Sequence, residues 1–293
     1  YKTIKASAIS MKPEKWDKDA NANKLERLFR DAAEENPDLI VATEGALDGL
    51  VSGDAVENPE LGKKMLDTAE AIDGPYVNRF RRLAKELKKC LCFGFAERIG
   101  DDIYNAAIFI DGSGDICGKY HKTQFAEGTH PTWYFNRIGK SIRAFDTPFG
   151  RVGILICNDR WNPMIARTLV LDGAQLILIS SYGMKTKPQN ETVLARAREN
   201  GVPIVEANVG MNLIVSKGEA VAYKWGNDQI TTADVDIPAH PSTETARLYE
   251  SEYMSLQGPE MERRYQESMK DRRGEPNLYH LARVGKSISG TTE

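Results

Sequence analysis

Three residues of this chain carry reactive side chains where strands are expected to end. Glu44 follows Leu39-Ile40-Val41-Ala42, Lys122 follows Gly118-Lys119-Tyr120-His121, and Cys157 closes Gly150-Arg151-Val152-Gly153-Ile154-Leu155-Ile156. Loops at the carboxyl ends of strands in layered α/β folds are free to open a crevice, and ligands gather there. Each residue alone has an ordinary reading: the cysteine as a small core residue, the glutamate and lysine as solvated charges. The text after Cys157, Asn158-Asp159-Arg160-Trp161-Asn162-Pro163, argues for more. A sharp turn there, just ahead of a helix, would leave the thiol exposed beside main-chain N–H groups. Such a setting lowers a thiol pKa and supplies donors for an oxyanion. None of the four histidines, His121, His130, His240 and His280, is placed by sequence to act as its base. A carboxylate base is the economical alternative.

Positioning these residues takes a regular alternation of strands and helices, which argues for α/β layering. Strands are expected over Lys5–Ile9, Leu39–Ala42, Leu91–Glu97, Tyr104–Ile110 and Ile116–His121. The helices between them are read over Lys24–Glu35, from Leu25, Leu28, Phe29 and Ala32, and over Val77–Lys89. The second half repeats the pattern. Strands are read at Arg151–Cys157, Ala174–Ser180, Pro203–Ala207, Asn212–Val215, Ala220–Tyr223 and Gln229–Ile237, with helices at Met164–Asp172 and Gln189–Asn200. Two similar half-layers around one sheet sandwich follow. Residues 1–238 would form this unit. The polar segment 239–293, with balanced acids and bases over Pro259–Glu275, reads as an extension: an exposed helix, or an arm that docks on a partner.

At this point the chain resembles the nitrilase superfamily, the carbon–nitrogen hydrolases, over roughly Thr3–Pro238. Ile40 to Gly49 is similar to the family's glutamate motif, Gly118 to Thr123 to its lysine motif, and Gly150 to Trp161 to its cysteine motif. The Cys157-Asn158-Asp159-Arg160 start resembles N-carbamoyl-amino-acid amidohydrolases. Arg196 to Asn200 and Ala207-Asn208 resemble later landmarks. The resemblance implies an α-β-β-α sandwich, subunits that pair into a homodimer or higher homo-oligomer, and a Glu-Lys-Cys site with neither metal nor cofactor. It implies that Glu44 moves protons, that Cys157 attacks carbon to give an acyl-enzyme, and that Lys122, with the main-chain N–H of Asn158, stabilises the tetrahedral intermediate. Many members carry a second glutamate before an aromatic-rich stretch. Here Thr132 precedes Trp133-Tyr134-Phe135 and the nearest carboxylate is Glu127. Either Glu127 takes that role or the role is absent. Arg160, three residues after the nucleophile, has two readings: a fork for a substrate carboxylate, or a structural ion pair.

The expected activity is hydrolysis of a linear amide or N-carbamoyl compound with release of ammonia. A nitrile substrate is the near alternative, and a catalytically silent binding protein on the same fold the more distant one. Composition narrows the field. A net charge of −3 offers no footprint for nucleic acid or membrane, and the apolar run Ala174–Ser180 is too short to span a bilayer. The cysteines Cys90, Cys92, Cys117 and Cys157 form neither a zinc-ligand spacing nor a C-x-x-C redox motif. Tyr1 stands where Met would, so an upstream segment, a signal peptide among the candidates, is expected to have been removed. The compartment stays open, with the cytoplasm slightly favoured.

Overall fold

The computed structural model describes residues 2–51, 54, 58, 60–124, 136–183, 185–239, 254–256, 258–260 and 262–263. Its strands, in chain order, are β1 (Lys2–Ile9), β2 (Leu39–Val41), β3 (Cys90–Ile99), β4 (Asp102–Ile110), β5 (Ile116–His121), β6 (Asn136–Arg137), β7 (Phe145–Thr147), β8 (Gly150–Ile156), β9 (Leu176–Ser181), β10 (Ile204–Asn208), β11 (Met211–Ser216), β12 (Glu219–Trp225) and β13 (Ile230–Ile237). Its helices are α1 (Lys18–Ala33), α2 (Leu61–Thr68), α3 (Pro75–Leu87), α4 (Pro163–Leu171) and α5 (Lys187–Asn200). One sheet runs β13-β1-β2-β3-β4-β5, with β6 paired to β4; the other runs β12-β11-β10-β9-β8-β7.

Side chains on a strand alternate between faces, and here both faces are covered. Leu39 and Val41 of β2 join a cluster between the two sheets, while Ile40 faces the layer of α1 and α3. Ile154 and Ile156 of β8 enter that same inter-sheet cluster, while Leu155 faces α4 and α5. Strands buried on both faces read as unbroken apolar runs, which is why the runs before Glu44 and Cys157 are continuous. The result is four layers, α-β-β-α. Parallel pairing of β1, β2 and β3 in one sheet, and of β8, β9 and β10 in the other, carries the ends of β2 and β8 to one region.

The expected elements are present, and several extend beyond their predicted bounds. Helix α1 begins at Lys18 rather than Lys24, because the Asp17 side chain accepts the Ala20 N–H and caps it. Helix α2 and the short β6 and β7 lay outside the sequence expectation; two or three residues carry no readable period. Of the extension, Met254 packs against the α4–α5 layer.

Candidate active site

Glu44 stands three residues past β2, on a segment fastened from several sides. The Ala42 N–H donates to Cys92 O, the Thr43 hydroxyl to Met11 O, and the Ser180 hydroxyl of the opposite sheet to Ala42 O. The neighbouring strand comes unusually close: a β carbon on Gly94 would stand 2.8 Å from the Glu44 Cα. The Glu44 carboxylate is 1% exposed and accepts three hydrogen bonds. Lys122 Nζ (2.9 Å) and Asn105 Nδ2 (2.7 Å) donate to Oε1; the Tyr182 main-chain N–H (2.9 Å) donates to Oε2. A buried carboxylate left without such partners would be costly.

Lys122 follows β5 directly. Its own N–H donates to Asn105 O, and its carbonyl accepts from Gly139 N–H. Burial works against the ammonium, but the charges of Glu44, Cys157 and Asp159 outweigh it and hold the pKa above that of an ordinary lysine. The ammonium is therefore a fixed positive charge facing the carboxylate and the thiol together.

Cys157 begins a 3-10 turn, Cys157–Trp161, at the end of β8. Its φ is 47°, a left-handed conformation that side chains other than glycine avoid unless the surroundings impose it. Asp159 does so. Fully buried, it accepts the Ile156 N–H through Oδ2 and the Gln124 N–H through Oδ1, both at 2.9 Å. One carboxylate thus ties the turn that presents the thiol to the loop that carries Lys122. Burial pushes Asp159 up to about 6, against the pull of Lys122, the two N–H donors and Tyr120. Of the other three thiols, Cys90 and Cys92 are buried and Cys117 is half-buried beside Asp111: burial pushes Cys90 and Cys92 up to about 12, and burial with the Asp111 charge pushes Cys117 to about 11.

Glu44, Lys122 and Cys157 therefore converge. Asn158 lies in the same turn, partly exposed. Arg160 does not face solvent. It is 1% exposed; its Nε donates to Cys157 O, while its two terminal nitrogens reach Glu206 and the Ser181 hydroxyl. Of its two sequence readings, this placement favours the structural pair. His121 turns to Glu97 and stacks on Tyr104. Glu127 and the stretch Thr132 to Phe135 lie outside the described residues, as do His130, His240 and His280. Among the described residues no group of three His, Cys, Asp or Glu side chains could hold a metal ion. Asn105, the Tyr182 N–H, Asp159 and Glu206 were not anticipated. A polar letter inside an apolar strand, as in Tyr104-Asn105-Ala106 or Val205-Glu206-Ala207, was the available signal for two of them.

Comparison with known proteins shows the family. The family model described as carbon-nitrogen hydrolase matches residues 5–245. An N-carbamoylputrescine amidase from Oryza sativa subsp. japonica is 28% identical over 78% of this chain and 76% of its own length. A nitrilase from Pyrococcus abyssi is 28% identical over 80% of this chain and 90% of its own. The solved amidase from Nesterenkonia sp. AN1 superposes with a TM-score of 0.68 at 18% identity, over 85% of this chain and 99% of that one, which speaks to the fold alone.

Proposed function

The chain belongs to the carbon–nitrogen hydrolase family, and from that premise we propose that it hydrolyses a linear amide or an N-carbamoyl compound at Cys157, releasing ammonia. The observation that carries this reading is the Glu44 carboxylate, fixed by Lys122, Asn105 and the N–H of Tyr182, whose neighbour Gly183 lies against the sulfur of Cys157. Glu44 takes the thiol proton, and the sulfur attacks the carbonyl carbon. Negative charge gathers on the carbonyl oxygen, where Lys122 and the main-chain N–H of Asn158 stabilise it. The intermediate collapses with loss of its amine nitrogen, to which Glu44 returns the proton, so ammonia leaves and a thioester remains. Water, deprotonated by Glu44, then splits the thioester to the acid and the free thiol. Glu127 is the candidate second carboxylate for that water.

The names of the relatives support a carbonyl substrate. One is called an N-carbamoylputrescine amidase. A nitrile is the second reading, favoured by the nitrilase among the relatives. The unit 1–238 is proposed to pair with a second copy, with 239–293 as its arm.

The experiment is ammonia release by the purified protein from a panel of amides, N-carbamoyl compounds and nitriles. Activity is expected on the first two classes. Cys157→Ala and Glu44→Gln should each lose at least ~100-fold with the melting temperature preserved. Near-normal turnover by Cys157→Ala would sink the mechanism.

A further inference from the structure

The two residues after β9 pass directly over the site, and they are pinned there. The Tyr182 N–H is held by Glu44, the Gly183 N–H by Asn208 Oδ1 at 3.0 Å, and the Ser181 hydroxyl by Arg160. Glu44, Lys122, Arg160 and Ser181 are buried, whereas Cys157, Tyr182 and Gly183 keep partial exposure.

Gly183 has no backbone reason to be glycine, since it is not among the residues with positive φ. It has a spatial one. A β carbon built there would stand 3.0 Å from Cys157 Sγ, 3.5 Å from Ser181 Oγ and 3.8 Å from Arg160 Nη2. A carbon about to be attacked must come to roughly 3–3.5 Å of its nucleophile. The missing side chain therefore leaves vacant a position at attack distance from the sulfur.

We propose that Gly183 is a specificity-determining residue of this site: the space left by its absent side chain admits the acyl part of the substrate against Cys157 Sγ. The proposal rests on Cys157 being the nucleophile and adds what limits the group it can attack. The Tyr182 and Gly183 N–H groups are both held by side chains, so among the described residues this position limits the room beside the sulfur. A flat, unbranched acyl group, such as a carbamoyl or a straight-chain acyl, fits it; branching next to the carbonyl does not.

The test is Gly183→Ala, assayed against formamide, acetamide, butyramide and an N-carbamoyl amine, beside the thiol alkylators iodoacetamide and 2-iodopropionamide. Alanine lowers the entropy of the unfolded chain, while its β carbon, 3.0 Å from Cys157 Sγ, obliges the neighbouring atoms to give slightly, so the melting temperature should move by only a few degrees. The ratio of variant to wild-type kcat/KM should fall with acyl size, by about tenfold or more between formamide and butyramide. The alkylation ratio should fall in the same order from iodoacetamide to 2-iodopropionamide. Equal ratios across the series, or a loss that tracks a lower melting temperature, would overturn the proposal. Should the wild type turn over none of the amides, the functional reading fails; the alkylation series then judges Gly183 by itself.

Discussion

Replacing Asp159 by Asn should separate stability from catalysis. The wild-type carboxylate, pushed up to about 6 by burial, costs the fold about 3 kcal/mol at neutral pH relative to an unfolded chain in which it ionises normally. The sign follows from the raised value. That cost is present above pH 6, is relieved as pH falls through 6, and is gone below the ordinary carboxylate range. Asparagine removes the cost. It also turns an amide NH2 toward either the Ile156 or the Gln124 N–H, leaving a buried donor unmet at about 1–3 kcal/mol. The two effects nearly offset, so the melting temperature at pH 7.5 should move by only several degrees. Activity has no such offset. The Cys157 turn loses either its internal bond to the Ile156 N–H or its bond to Gln124 of the Lys122 loop, and misplacement by about 1 Å costs on the order of 100-fold. The assay is kcat/KM for ammonia release beside thermal melts at pH 7.5 and 5. Between those values the wild type should gain about 1.4 kcal/mol on the variant. An Asp159→Asn protein with half the wild-type kcat/KM, or one whose activity falls only with its folded fraction, would refute the reasoning.

Other outcomes follow from the same geometry. A limiting thiol alkylator at pH 7.5 should modify Cys157 and abolish turnover ahead of Cys90 and Cys92, which burial holds protonated, and of the half-buried Cys117, which burial and Asp111 hold protonated; peptide mapping checks this. Prolonged chelation should leave turnover unchanged, and zinc-restored loss would contradict the metal-free mechanism. Arg160→Ala strips one partner from a buried ion pair and should cost about 3–5 kcal/mol. Its activity loss should be equal on neutral and carboxylate-bearing amides; a loss confined to the acidic ones would return Arg160 to substrate binding. Light scattering at micromolar concentration should show at least a dimer.

The sheets were legible because each strand buried on both faces is an unbroken apolar word; Glu44 and Cys157 stood out as candidates because a reactive letter follows such a word, and Lys122 because it follows the mixed strand Ile116–His121. Other parts of the site have no such mark. The Tyr182 contribution is a main-chain N–H, which any residue supplies, so no letter announces it. Asp159 reads as one polar residue in a polar turn; its reach back to Ile156 and across to Gln124 belongs to three dimensions. Arg160 shows the same limit in reverse. Three residues from the nucleophile, it suggests a ligand contact, but its partner is Glu206, 46 positions away on β10. Helix α1 gained its first turn from the Asp17 cap rather than from apolar spacing. Gly183 is the extreme case, since what it contributes is the lack of a side chain beside Cys157 Sγ.

The central claim is that Cys157 forms the covalent intermediate, and acid-quenched turnover followed by peptide mass mapping tests it most directly. The wild-type protein, stopped during hydrolysis of an amide it accepts, should carry one acyl group on the peptide containing Cys157. Acyl mass on a different residue, or continued ammonia release after Cys157 is fully alkylated, would contradict the account.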